Sequence, residues 1–239
     1  MNLHCVNRAL ARSLMLAGLA CTGAKPPAGG AEANTAERRD TASIATTAPR
    51  ADPRVARADL ARIQGDSVAK VWVVEVSDFQ CPFCRQWHHE SYEALRDEYV
   101  TTGKVRLAFV NFPLSQHLNA WPASQAAMCA GEQGRFWQMH DAIFANQAKW
   151  ASVSSVDTLF TSLARGAGVD IKRWRDCLSS DVMRPLIQAD LDRATSSGVR
   201  QTPSFIVGNR RLAGAVPMTT MRAVLDSAIA EARSGAQRP

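Results

Sequence analysis

Val71-Trp72-Val73-Val74-Glu75-Val76-Ser77-Asp78-Phe79-Gln80-Cys81-Pro82-Phe83-Cys84 is the stretch whose reading decides the fold. Its first six residues form an apolar run broken by one carboxylate, the pattern of a strand buried on both faces. Pro82 opens a helix-patterned stretch ending near Tyr99, and proline suits a first helical turn, where its missing N–H costs nothing. The C-x-x-C therefore sits at a strand-to-helix turn. There the first sulfur lies over unpaired backbone N–H groups and the positive end of the helix macrodipole. Such a placement favours a thiolate near neutral pH, with a thiol pKa typically lowered to ~3.5–7.5. Cys84 lies one turn on, within reach to close a disulfide. Half of a zinc knuckle, or a chance pair, is the plainer reading of an isolated C-x-x-C.

Two distant features favour redox chemistry. Glu75, six residues before Cys81 and alone among valines and Trp72, is expected to be desolvated and hard to ionise. A buried acid under the pair would move a proton to or from Cys84. The alternative is a strand-end glutamate that reaches solvent. Downstream, Gly198-Val199-Arg200-Gln201-Thr202-Pro203-Ser204-Phe205-Ile206-Val207 sets a proline at the mouth of another apolar strand, one of the few strand positions it tolerates. A cis bond at Thr202-Pro203 would expose backbone beside the sulfurs.

Ser77 to Cys84 resembles the active-site segment of DsbA-like thiol-disulfide oxidoreductases of the thioredoxin superfamily. Further matches are Asn111-Phe112-Pro113-Leu114, Gly134-Arg135-Phe136-Trp137-Gln138-Met139-His140, and Gly198-Val199 to Thr202-Pro203, so the resemblance spans about Val68 to Ala230. It implies an α/β thioredoxin fold with an inserted helical subdomain. It also implies Cys81 as attacking thiol, Cys84 as resolving thiol, Glu75 as buried acid and Thr202-Pro203 as a cis-proline loop. No cofactor is implied. Phe83 stands where the strongest oxidants of the family carry His, so a less oxidising couple is expected.

The chain has 239 residues, and its first 55 or so contribute little to a core. Met1 to Ala20 carries Arg8 and Arg12, no acid, and the apolar Leu14 to Ala20, which reads as a secretory signal too short to span a membrane. Gly18-Leu19-Ala20-Cys21 resembles a bacterial lipobox, with Gly18 where Leu is usual. It offers Cys21 for lipidation, against ordinary cleavage nearby. Residues 21–55 are rich in Ala, Thr, Pro and Gly and read as a flexible linker, leaving a domain over 56–235 with its insertion at about 115–197. The net charge is +6, with arginines spread along helical patterns among acids. That is a solvated surface rather than a basic stripe with stacking aromatics, so no nucleic-acid partner is expected. A monomer is expected, and an isomerase ranks below an oxidase because no dimerisation segment precedes the domain.

Periodicity supplies the remaining layout. Val55 to Gln64 reads as a short helix with Leu60 and Ile63 inward, and Val105 to Val110 as a second buried strand. Asn119 to about Ser197 is helical in pattern, with Val156, Leu159, Phe160 and Leu163 on one face and Pro185 near the start of its last helix. Phe205-Ile206-Val207, Gly208-Asn209 and Arg211-Leu212-Ala213 read as a hairpin with a two-residue turn. Thr219 to Ala232 is a closing helix with Met221, Val224, Leu225 and Ala228 inward. Cys5 falls in the signal and Cys21 is lipidated or lost, which leaves Cys129 and Cys177 outside the redox pair. Both fall in the insertion of an exported chain, so a structural disulfide between them is expected.

The function these readings support is extracytoplasmic disulfide exchange with exported proteins, as oxidase first and as reductase or isomerase in the alternative. A membrane partner would reoxidise or reduce the pair. From another class comes a copper or zinc metallochaperone, with the cysteines joined by His88 or His117. Exposed helix histidines are the plainer reading of His88 and His89, and core packing that of Met139 and His140.

Overall fold

The computed structural model describes residues 52–235. The expected signal, most of the linker and Cys21 lie outside the described residues. Five strands make one sheet in the order β1-β3-β2-β4-β5. The central β2 is Val71–Ser77, whose near-continuous apolar run suits a strand covered on both faces. Parallel to it along its whole length lies β3, Val105–Asn111, from Val71 opposite Val105 to Ser77 opposite Asn111. A parallel pair needs a crossover, and the helical stretch 82–100 supplies it. On the other side of β2 runs the antiparallel β4, Ser204–Val207, which turns at Gly208 and Asn209 into β5, Arg210–Ala213. Gly208 has φ 59°, the left-handed geometry a two-residue hairpin turn demands.

Alternation along β2 divides the interior. Val71 and Val73 pack with Trp87, Tyr92 and Leu95 of the crossover and with Met221 and Leu225 of the closing helix Met218–Gly235. Val74 and Val76 pack on the opposite face with Phe112, Leu191, Ala194 and Val199. Between β3 and β4 the helices Ala120–Gly131, Phe136–Ala145, Gln147–Trp150, Asp157–Gly166, Ile171–Ser179 and Arg184–Ser196 enclose a further core. It is built on Phe136, Phe144, Trp150, Phe160 and Trp174 and reaches the redox turn through Phe79, Cys81 and Cys84.

The N-terminal helix departs from expectation. It spans Pro53–Ala61, because Asp52 caps it by accepting from the Arg54 N–H and Pro53 opens its first turn. Leu60 is 71% exposed rather than inward, and the buried residue is Ala58. Small side chains explain the choice, since a Cβ added at Gly131 would stand 3.5 Å from the Ala58 Cα. Ile63 and Gln64 leave the helix as β1, an edge strand antiparallel to β3. The crossover is not one uniform α-helix either, for Pro82–Trp87 passes into π-turns at His88–Tyr92 and Arg96–Val100.

Candidate active site

Cys81 is the N-cap of the crossover helix, with φ −67° and ψ 125°, so its sulfur faces the free N–H groups of the first turn. Cys84 is fully buried and Cys81 nearly so. The two thiols are free and interact directly. A hydrogen bond from the Cys84 thiol is the largest influence on Cys81, followed by Thr202 and the N–H groups of Cys84 and Phe83. Against partial burial, these bring the Cys81 thiol down to about 6. Burial, and then the bond it makes to the Cys81 sulfur, hold the Cys84 thiol well above its ordinary value. One sulfur is thus an anion at neutral pH and the other a neutral thiol.

The peptide bond Thr202-Pro203 is cis, and the Thr202 carbonyl accepts from the Cys81 thiol at 3.5 Å. Glu75 is buried on β2 between its strand neighbours Phe109 and Phe205, with Oε2 lacking a hydrogen-bond partner. Desolvation pushes its carboxyl up to about 8, with the charge of Asp141 adding and the Ser77 hydroxyl partly offsetting. Ser77 lies two residues on along the same strand face and also stabilises the Cys84 thiolate. Cys129 and Cys177 are joined, with Cα atoms 5.8 Å apart, and lie in the insertion.

Several supporting residues escaped the sequence reading. The buried Asp78 carboxylate accepts from the Gln80 N–H at 2.7 Å, the Leu114 N–H at 2.9 Å and the His117 ring at 2.7 Å, while its own N–H donates to Cys84 Sγ at 3.5 Å. An Asp two residues before a turn amide is a local signal for this role. Gln147, buried in the insertion, donates to the carbonyls of Phe79 at 2.7 Å and Cys81 at 3.0 Å, and no local pattern reveals that contact. Gln80 ties the Asn119 N–H and the Ala151 carbonyl to the turn.

His140 is buried in the core and His89 is exposed, as expected, but His88 departs from expectation. His88 is not an exposed helix residue, since its side chain is only 12% exposed and meets Asp141 at 3.1 Å. His117 is held by Asp78. Among the described residues the one cluster of three metal-ligating side chains is His88, His140 and Asp141, and neither cysteine belongs to it. The cysteine-plus-histidine metal set is therefore not assembled.

Residues 58–227 match the family described as thioredoxin. The chain is 32% identical over 149 residues to a probable disulfide bond formation protein D of Bacillus cereus, covering 61% of this chain and 69% of that one. It is 35% identical over 176 residues to a Na(+)/H(+) antiporter NhaA 3 of Salinispora tropica. That match covers 73% of this chain but spans only 26% of the antiporter's length. Among solved structures, alpha-DsbA1 of Wolbachia pipientis superposes with a TM-score of 0.66 at 19% identity, over 74% of this chain and 94% of that one. At that identity the likeness shows the fold.

Proposed function

Because the chain belongs to the thioredoxin family, as a DsbA-like member, we propose that it catalyses dithiol–disulfide exchange with exported client proteins, running as an oxidase. The observation that carries this reading is the Cys81 sulfur at a helix N-terminus, held as a thiolate by the buried Cys84 thiol that donates to it. Stabilising Cys81 as an anion stabilises the reduced pair, which makes the disulfide form the stronger oxidant.

A client thiolate attacks Cys81 Sγ of the closed disulfide. The Cys81–Cys84 bond breaks, and Cys84 leaves as a thiolate that its burial makes strongly basic. Glu75, largely protonated at neutral pH, is the proton source beneath it, with the Ser77 hydroxyl beside both groups. The client's second thiolate then attacks the client sulfur of the mixed disulfide, and Cys81 departs as a good leaving group. Two electrons have moved from client to site. A membrane electron-transfer partner returns the pair to the disulfide, in an extracytoplasmic compartment where such bonds persist. Client backbone pairs beside Thr202-Pro203, with apolar side chains against Phe83, which is 60% exposed.

Equilibration against glutathione buffers tests the direction. A potential above about −200 mV is expected, and one near −270 mV makes the protein a reductase. Phe83, an apolar residue between the cysteines, is the feature that favours the reductive reading. Alkylation of Cys81 by iodoacetamide should rise with pH about a midpoint near 6. A midpoint above 8 would remove the argument for an oxidising couple. Cys84→Ser should leave mixed disulfides with clients trapped on Cys81.

A further inference from the structure

His88 lies on the first π-turn of the crossover helix, four residues beyond Cys84, while His140 and Asp141 lie on the insertion helix Phe136–Ala145. Two imidazole nitrogens converge on one carboxylate oxygen. Asp141 Oδ1 is 3.1 Å from His88 Nε2 and 2.8 Å from His140 Nδ1, and the three atoms lie within 4.8 Å of one another. Ligands at about 2.0–2.2 Å around a tetrahedral ion stand roughly 3.3 Å apart, so the two nitrogen–oxygen separations need to open by only a few tenths of an ångström, while the two nitrogens lie no more than 4.8 Å apart.

The two rings are held in place. His88 stacks between Tyr92 at 5.0 Å and Phe144 at 4.9 Å, and His140 is enclosed by Phe79, Phe109, Trp137 and Phe144. Packing of this kind fixes ligand rotamers before an ion arrives. Exposure is graded across the cluster: His140 is fully buried, the His88 side chain is 12% exposed and that of Asp141 is 42% exposed. The inner side is therefore dry and aromatic, and the Asp141 side is open for ion entry and for water to complete the coordination.

We infer that His88, His140 and Asp141 form a binding site for one borderline divalent ion, of the Zn2+ or Co2+ kind, separate from the redox cysteines. Two imidazoles and one carboxylate suit such ions, whereas Mg2+ and Ca2+ take sets built on oxygen. The ion joins the helix that carries the redox pair to the helical insertion. It lies across an existing contact, replacing two ring-to-carboxylate hydrogen bonds by three bonds to metal. The inference stands on this geometry and does not depend on the direction of disulfide exchange.

The test uses the untagged full chain with Cys81–Cys84 closed as a disulfide and all other free thiols alkylated, so that no thiol supplies a ligand. Zn2+ alone is titrated calorimetrically, and Co2+ alone by visible absorption. One equivalent per chain is expected. His88→Ala and Asp141→Ala should each weaken binding at least tenfold, and the exposed control His89→Ala should leave it unchanged. Circular dichroism checks that each variant is folded. Should His88→Ala fail that check, the partly exposed Asp141→Ala decides alone. No saturable binding, or binding of unchanged affinity in the folded variants, overturns the site and leaves a hydrogen-bonded His–Asp–His bridge between helices.

Discussion

Glu75 is a single side chain whose burial ties stability to pH. It is fully enclosed, and burial pushes its carboxyl up to about 8 from an ordinary 4.5. The fold therefore favours the protonated form, and the sign of the linkage follows. The stabilisation is complete below the unfolded value near 4.5 and is lost as pH rises through about 8. At 1.36 kcal/mol per pKa unit the loss at high pH is on the order of 5 kcal/mol at most. Raising the pH from 5 to 9 should lower the thermal midpoint of the chain, and Glu75→Gln should flatten that fall. The same substitution removes the proton source proposed for Cys84, so the proposed client oxidation near pH 7 should slow several-fold while the fold persists. Melts at pH 5, 7 and 9 beside exchange rates check both effects; equal pH slopes in the two proteins would count against an ionisable group at this position.

Among elements, the strand–helix–strand unit from Val71 to Asn111 was legible because its signals are local: two mostly apolar runs and Pro82 at a first turn. The N-terminal helix was misread because Leu60 looks inward by type, whereas the packing surface opposite, at Gly131, accepts only Ala58. The π-turns at His88–Tyr92 and Arg96–Val100 were not legible, because helical periodicity does not tell a π-turn from an α-turn. The contact that secures the redox turn was equally hidden. Gln147 reaches the carbonyls of Phe79 and Cys81 from 68 and 66 residues away. Gln147→Ala leaves both buried carbonyls without that donor. The Cys81 carbonyl keeps the Arg85 N–H, so the variant orphans the Phe79 carbonyl and should cost about 1–3 kcal/mol in urea unfolding. Because the Cys81 carbonyl is one of the two, exchange should slow as well. A variant with an unchanged urea midpoint would mean that this helix does not hold the turn.

At the scale of the whole molecule, a sheet core and a helical core meet at one active-site turn, and the covalent tie lies inside the helical part. The disulfide expectation needed only cysteine arithmetic and an oxidising compartment, and the structure brings Cys129 and Cys177 to a Cα separation of 5.8 Å. Which residues share their core was not legible, because Trp174 and Phe160 come to it from separate helices distant in sequence. The bond closes a loop of 48 residues, worth about 4 kcal/mol on the chain-entropy account. Both cysteines are buried among Ala126, Phe160 and Trp174, and neither contacts the redox thiols by hydrogen bonding. Cys129→Ser paired with Cys177→Ser should therefore lower the thermal midpoint by roughly 10 °C, at 2–4 °C per kcal/mol for a domain of this size. Exchange by Cys81 and Cys84, assayed below the new midpoint, should stay within a factor of about two. If the midpoint is unmoved and exchange is abolished, the second pair is passing electrons to the first rather than bracing the insertion.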